Sequence, residues 1–227
     1  MKRTQKGFTL VEIAIVLVII GLLLGGILKG QEMITQAKIK NVVADFSGIS
    51  AAYYGYQDRY RAIPGDDGGA VARWATPVTP ANPATGAYGN GIVSGGYATV
   101  VANEESRLFW QHLRSAGFVA GTGQQQPFNA VTGILGVQSG DGAVPPVATL
   151  LNLAGGNGFV GLLICSAGLP DKIAIAVDTQ MDDGASNTGT VRALLQAAPN
   201  PAISAALVAT PAFAETGTNI YTVCRSM

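Results

Sequence analysis

An uninterrupted apolar run near the N-terminus limits what this chain can fold into more than any other feature. Residues 13–28 are all Ile, Val, Leu, Ala or Gly, and residues 8–11 extend the run. About twenty such residues cross the hydrocarbon core of a bilayer as a helix. The preceding segment, 1–7, contains three basic residues and no acid. Because basic flanks stay on the cytoplasmic side, we expect a membrane-spanning helix whose N-terminal flank is cytoplasmic.

A single carboxylate, Glu12, interrupts the apolar segment. An ionised side chain at that depth costs about 3 kcal/mol unless it is paired, so an intramembrane acid indicates a functional site. An ordinary secretory signal does not fit the segment, because no small-x-small cleavage site follows Leu28. A plain membrane anchor explains the length and the basic flank but leaves the acid unexplained. Two interpretations are therefore open from the residues alone, a plain membrane anchor and a helix in which Glu12 has a specific partner.

The run GFTLVE at residues 7–12, followed by the apolar segment, resembles the class III leader of type IV prepilins and type II secretion pseudopilins. The resemblance implies that a prepilin peptidase cleaves between Gly7 and Phe8 and then methylates the new amine of Phe8. It also implies that Glu12 neutralises the N-terminal amine of a neighbouring subunit during assembly. Physical chemistry agrees, because an ammonium and a carboxylate in a dry helix bundle are tolerable only as a pair. The resemblance is strong over the N-terminal quarter of the chain and weak beyond it.

The hydrophobic helix departs from the family pattern in one respect. Many type IV pilins carry a proline about two-thirds along this helix, whereas this chain has no proline before Pro64. Three glycines, Gly25, Gly26 and Gly30, stand in that region instead. Each glycine weakens a helix by about 1 kcal/mol relative to alanine. We therefore expect the helix to be locally weak there.

The helical period continues past the apolar run as an amphipathic stripe. The stripe consists of Ile39, Val42, Phe46, Ile49, Tyr53, Tyr56 and Tyr60. It predicts a helix that packs on its own domain, with a short coiled-coil seam as the alternative. Pro64 ends the pattern, because proline disfavours helix at and before its own position. We divide the chain into a leader 1–7, a transmembrane and assembly helix 8–30, an amphipathic half 31–62 and a globular head 63–227.

The sequence pattern of the head, 63–227, predicts a small antiparallel sheet with one or two short helices. A loop rich in glycine and proline, 68–103, precedes a helix that Asn103 is placed to cap and Gly117 to end. Residues Ile173–Met181 fit a helix better than a strand. The predicted strands are Ile134–Gln138, Phe159–Cys165, Thr190–Leu195 and Asn219–Cys224. The fold expected from these patterns is α+β, a pilin-like lollipop in which the long helix packs on the sheet.

The two cysteines of the chain are Cys165 and Cys224. In a domain exported from the cytoplasm, an even pair favours a disulfide over two free thiols. The family resemblance points the same way, because pilins commonly bracket their C-terminal region with one disulfide. We therefore predict a bond between Cys165 and Cys224.

The densest acidic group, Asp178, Asp182 and Asp183, is a weak candidate for a metal site. Its spacing is not that of an EF-hand loop, and the closing glutamate of such a loop is missing. Some pseudopilins bind calcium in a C-terminal loop, but their ligand pattern does not match here. We expect no cofactor and interpret the three acids as a capped helix end in solvent, with calcium as the alternative. The only histidine, His112, has no ligand or acid at metal-binding spacing and predicts a structural residue.

Charge and motifs exclude several classes of function. The formal net charge is zero, and removal of 1–7 would leave 11 basic against 14 acidic residues, a net charge of −3. This balance offers no electrostatic footprint for nucleic acid. No phosphate-binding glycine loop followed by Lys-Ser/Thr and no Gly-x-Ser-x-Gly motif is present, so we expect a protein that is not an enzyme.

The resemblance implies a structural subunit of a type IV pilus or pilus-like filament. Its partners would be other pilin subunits, a prepilin peptidase and an inner-membrane assembly platform. It would lie in the bacterial inner membrane with a periplasmic head, and then in an extracellular pilus or a periplasmic pseudopilus. A type II secretion pseudopilin is the alternative within the family, and major, minor and tip subunits share the same N-terminal pattern. An alternative of another class is a membrane-tethered binding protein that never polymerises.

Overall fold

The computed structural model describes residues 9–74, 88–141, 158–200, 203 and 212–227. The chain forms two compact units, Met1–Lys38 and Ile39–Met227. The helices are α1 Leu10–Tyr60, α2 Ala70–Arg73, α3 Glu105–Ser115 and α4 Asp171–Met181. The strands are β1 Leu135–Asp141, β2 Val160–Pro170, β3 Val191–Leu195 and β4 Ile220–Ser226. The predicted cleavage residues Gly7 and Phe8 lie outside the described residues, as does 75–87 of the predicted long loop.

The first unit contains the apolar part of helix α1. The helix passes through Gly25, Gly26 and Gly30 without a break, so the expected weakness does not interrupt it. Its apolar side chains are exposed, as Leu22 at 74% shows. In the part of the chain that the structure describes, α1 is the helix long and apolar enough to cross a membrane. An apolar surface of this length needs lipid or protein around it.

The second unit buries the predicted amphipathic stripe of α1. Six of its seven residues are buried, and Tyr60 is partly buried against the same core. Because these side chains pack on α3 and on the sheet, the prediction of a helix packed on its own domain is confirmed and the coiled-coil alternative is wrong. The helix ends at Tyr60, two residues before the predicted bound at 62. Arg61 then adopts a left-handed conformation, with φ of 52°, and donates its N–H to the Gln57 carbonyl at 2.8 Å.

The four strands form one antiparallel sheet in the order β1-β2-β4-β3. All four predicted strands exist, and each begins one residue later than predicted. Strand β3 ends at the predicted residue, whereas β1, β2 and β4 end two to five residues later. The predicted α+β fold is therefore confirmed. The last strand, β4, lies between β2 and β3 and pairs with both. Cys165 lies opposite Cys224 in the register of β2 and β4, so the pairing of these strands brings the two thiols together.

Helix α3 differs from the prediction at its start and agrees with it at its end. Asn103 is not the cap: it has φ of 66°, and the helix starts after Glu104, whose carbonyl accepts the first helical N–H bonds. At the other end, Gly117 adopts φ of 81°. The N–H of Phe118 reaches back to the Leu113 carbonyl at 2.9 Å, which makes a Schellman motif.

Helix α4 occupies the segment that the sequence pattern could assign to either a helix or a strand. It begins directly after Pro170 and ends at Met181, so the preference for helix is confirmed. Ile173, Ala174 and Val177 form its buried face. Their spacing of three and four residues is the helical period, and that period distinguishes a helix from a strand.

Candidate functional sites

The first turn of α1 holds the carboxylate that the sequence singles out. The Thr9 backbone N–H donates to Glu12 Oε2 at 2.7 Å, and the Thr9 hydroxyl donates to the same oxygen at 2.8 Å. In return, the Glu12 N–H donates to Thr9 Oγ1 at 3.3 Å. This reciprocal arrangement is a capping box, in which a Thr and a Glu three residues apart satisfy each other's helix-start groups. Thr9 is thus a site residue that the sequence analysis missed, although its Thr-x-x-Glu spacing is a visible signal.

The surroundings of Glu12 are apolar and open. Leu10 and Val11 beside it are 91% and 67% exposed. The next charged residues along the helix are Lys29 and Glu32, which form an exposed ion pair at 2.7 Å. A single acid therefore lies at one end of an exposed apolar surface, and a charged pair lies just beyond its other end. Such a carboxylate is suited to pair with an amine that another molecule brings into the apolar layer.

In the head, the turn after α1 is organised by two buried acids. The Asp66 carboxylate accepts N–H bonds from Gly89 at 2.5 Å and from Gly91 at 2.7 Å. Asp67 accepts the Tyr56 hydroxyl at 2.7 Å and pairs with Arg73. Both carboxylates are thus fully occupied by backbone and side-chain partners. They hold the loop against α1 and serve the fold.

His112 is buried beside this turn. Its Nδ1 accepts the N–H of Gly65 at 3.0 Å, and its ring stacks on Tyr56 with 6.3 Å between centroids. Burial, helped by the nearby charge of Arg73, lowers the pKa of His112 to about 4. The imidazole is therefore neutral at pH 7, and its hydrogen bond positions the turn. This is the structural role that the sequence predicted.

The two cysteines form the predicted disulfide. Cys165 and Cys224 are bonded, with their Cα atoms 4.1 Å apart. Both are fully buried, among Tyr97, Phe159 and Leu163 on one face of the sheet. The bond joins β2 to the C-terminal strand β4 and closes the chain across the long segment between them. The head is therefore fastened covalently at its C-terminal end.

The structure brings Asp178, Asp182 and Asp183 together at the end of α4. Each offers one carboxylate oxygen, and these oxygens lie within 4.8 Å of one another. Asp183 is exposed and Asp182 is partly exposed, as expected, but Asp178 is completely buried. The interpretation of all three as solvated acids is therefore wrong for Asp178. Burial raises the pKa of Asp178 to about 7, although a hydrogen bond from Gly184 opposes the rise.

Comparison with known proteins identifies the N-terminal region. A family described as the prokaryotic N-terminal methylation motif matches residues 2–28. No curated protein and no solved structure matches the chain. The matched segment contains the basic leader, the capping box and most of the exposed apolar surface of α1. The N-terminal segment of the chain therefore carries the methylation motif, which supports its resemblance to a class III leader of the type IV pilin kind.

Proposed function

We propose that this protein is a structural subunit of a type IV pilus-like filament and polymerises through the segment 8–30. The observation that supports this most is the methylation motif at residues 2–28, which has Glu12 at the start of an exposed apolar helix. A prepilin peptidase would cleave between Gly7 and Phe8 and methylate the amine of Phe8. Cleavage would remove three basic residues and leave one ammonium at the start of the apolar segment.

The driving force for assembly would be burial of the apolar surface of α1 against the same surface of neighbouring subunits. Lipid can cover that surface in the membrane, but outside the membrane only other helices can do so. Burial of the Glu12 carboxylate and of the Phe8 ammonium would each be unfavourable alone and tolerable together. Pairing between the two charges of adjacent subunits would therefore set the register of the helices.

The capping box supports this role, because it prepares Glu12 before assembly. Thr9 and Glu12 both lie after the expected cleavage point, so processing would leave the box intact. The Thr9 bonds end on Oε2 of Glu12. Among the described residues, the other carboxylate oxygen accepts no hydrogen bond and is free to receive an ammonium. The first turn thus holds the acid in one orientation without using up its capacity to pair.

The first test is the intact mass and N-terminal sequence of the protein from native membranes and from the sheared surface fraction. We expect a chain that starts at N-methylated Phe8 and is present in sheared filaments. A mature chain found only in periplasmic filaments would favour the pseudopilin of a type II secretion system. A chain that retains 1–7 would contradict polymerisation and favour the membrane-tethered binding protein.

The second test separates the charge of Glu12 from its hydrogen bonds. Glu12→Gln keeps a residue that can complete a capping box but removes the negative charge. We expect processed, membrane-inserted protein and a loss of filaments of at least about tenfold, in line with the cost of an unpaired intramembrane charge. Glu32→Ala is the matched control, because it removes an exposed acid of the same helix beyond the apolar run. Normal filament yield in Glu12→Gln would show that charge pairing does not direct assembly.

A further inference from the structure

We propose that Asp178, Asp182 and Asp183 bind one calcium ion at the C-terminal end of α4. Their three carboxylate oxygens lie within 4.8 Å of one another. Oxygens that bind one Ca²⁺ at about 2.4 Å lie at most about 4.8 Å apart. The three oxygens are therefore close enough together to bind the same calcium ion. The site is independent of the proposed filament function.

The strongest evidence is an unpartnered oxygen on Asp178. This side chain is completely buried. Its Oδ1 accepts the N–H of Gly184 at 3.2 Å, but its Oδ2 has no hydrogen-bond partner in the part of the chain that the structure describes. A buried carboxylate oxygen without a donor is costly, so native proteins rarely leave one. A cation held between Asp178 and its two acidic neighbours would supply the missing partner.

The position of the cluster on α4 adds to the need for positive charge. Asp178 lies in the last turn of the helix and Asp182 is its C-cap. The C-terminal end of a helix carries partial negative charge and favours cations. The last turn of α4 contains no basic residue. Three carboxylates thus lie at the negative end of the helix dipole. A divalent cation would offset both their repulsion by the dipole and their repulsion of one another.

The loop between α4 and β3 holds the other two carboxylates in place. Asp182 Oδ2 accepts the N–H groups of Thr190 at 2.5 Å and Val191 at 2.9 Å. Asp183 Oδ1 accepts the N–H of Ala185 at 2.9 Å. These bonds fix the orientation of each carboxylate by the backbone. The site is therefore organised before any ion arrives.

One positive charge, that of Arg192, lies near the cluster. Arg192 is close enough to Asp182 to interact with it electrostatically. Its guanidinium lies over the ring of Phe159, 3.9 Å from the centroid, and its Nε donates to the Gly189 carbonyl. One guanidinium beside three carboxylates leaves an excess of negative charge. Hard oxygen ligands with an excess of negative charge favour Ca²⁺ over softer transition metals.

The test is calcium binding to the full-length protein in detergent micelles, stripped of metal with EDTA and then titrated calorimetrically up to about 10 mM Ca²⁺. That ceiling lies about tenfold above the weakest class of extracellular calcium sites. We expect one bound ion per chain, weaker binding of Mg²⁺, and a rise in Tm of about 5–10 °C once Ca²⁺ exceeds Kd about 100-fold. Absence of binding over this range would overturn the proposal, and equal binding of Mg²⁺ would overturn the choice of ion.

Asp178→Asn tests whether the buried carboxylate is the ligand. Without calcium, this variant should be at least as stable as the natural protein, because it has no unpaired charge to bury. With calcium, it should gain no stability and bind the ion at least tenfold more weakly. Asp58→Asn is the control, since it removes an exposed acid of α1 and should bind calcium normally. Should Asp178→Asn not fold, Asp183→Asn carries the test, because Asp183 is exposed and its loss should weaken binding at least tenfold. Unchanged calcium affinity in the variant that folds would overturn the proposal.

Discussion

The two compact units of the chain differ in the exposure of the apolar side chains of α1. Leu22 and Val42 are aliphatic residues of the same helix, yet Leu22 is 74% exposed and Val42 is fully buried. In the head, the buried side chains of α1 belong to one hydrophobic core with those of α3, α4 and the sheet. The first unit contains no second element among its described residues. The head therefore buries its apolar side chains among its own elements, whereas the apolar side chains of the first unit remain exposed and need lipid or protein to cover them.

The same substitution should have opposite consequences in the two units, and this is the largest effect we expect. In the head, a Cβ at Gly133 would lie 1.7 Å from the Ala167 carbonyl oxygen, so the backbone of β2 would have to move. Gly133→Ala should destabilise the head by more than about 3 kcal/mol, at the upper end of single-substitution effects. In the first unit, a Cβ at Gly21 meets nothing within 4 Å. Gly21→Ala should leave the head unchanged and strengthen the helix by up to about 1 kcal/mol.

Thermal unfolding of the two variants, followed by near-ultraviolet circular dichroism of the head aromatics, measures this difference. A large loss of Tm is expected for Gly133→Ala alone. An equal loss of Tm in both variants would show that the two units unfold together, which would contradict the difference between them.

The second prediction concerns the stability of the head at low pH. His112 has its pKa lowered to about 4 in the folded head, against an ordinary value of about 6.5 in the unfolded chain. Between pH 6.5 and pH 4, His112 is therefore protonated in the unfolded chain but neutral in the folded head. The contribution of His112 is fully present above pH 6.5 and is lost as the pH falls to 4, with a total on the order of 3 kcal/mol.

His112→Asn is the variant that isolates this effect, because it keeps an acceptor near the N–H of Gly65 but cannot gain a proton. Denaturant unfolding at several pH values should show a smaller loss of stability between pH 6.5 and 4 in the variant than in the natural protein. The carboxylates titrate in both proteins, so their contribution cancels when the unfolding free energy of the variant is subtracted from that of the natural protein at each pH. Parallel curves would mean that His112 titrates normally in the folded head.

The smallest effect is expected at the first turn of α1. Thr9→Ala removes the capping box but keeps the charge of Glu12, so it should cost about 1 kcal/mol and be confined to the helix start. Amide hydrogen exchange of residues 10–13 in micelles should accelerate about fivefold, as expected for that free energy. Filament yield should stay close to normal, in contrast to Glu12→Gln. Thr35→Ala is the control, because the Thr35 hydroxyl donates to the Gln31 carbonyl within the helix and takes no part in the capping box. Loss of filaments in Thr9→Ala would show that the capping box itself directs assembly.

Much of the architecture could be predicted from short-range patterns. The stripe from Ile39 to Tyr60 predicted both the helix and its buried face, because each residue of a helix repeats the same geometry. Alternating and apolar runs predicted the four strands, and Pro64 predicted the end of α1. The family motif at 2–28 could be recognised for the same reason, since its chemistry depends on a contiguous run. Cys165 and Cys224 left one pairing within the chain, so the disulfide needed no knowledge of the fold.

The candidate sites were predictable only where their chemistry is local. Glu12 could be found because an acid in an apolar run is conspicuous in the sequence itself. Thr9 was detectable but was missed, because its role depends on the side chain folding back by three residues. Asn103 was assigned as a cap from its residue type, but the chain turns there with positive φ and starts the helix after Glu104. Residue type alone does not specify that turn.

Local patterns are enough to predict the apolar segment, the long helix and the strands, because these depend on neighbours within a few residues. The environments of His112 and Asp178 depend instead on how distant parts of the chain pack together. Both become buried when α3 and α4 pack within the head, and burial lowers one pKa to about 4 and raises the other to about 7. The free energy of a charge depends on every group around it, including those far away in the chain. For that reason three acids that the sequence presented as solvated became, in the folded head, a candidate calcium site.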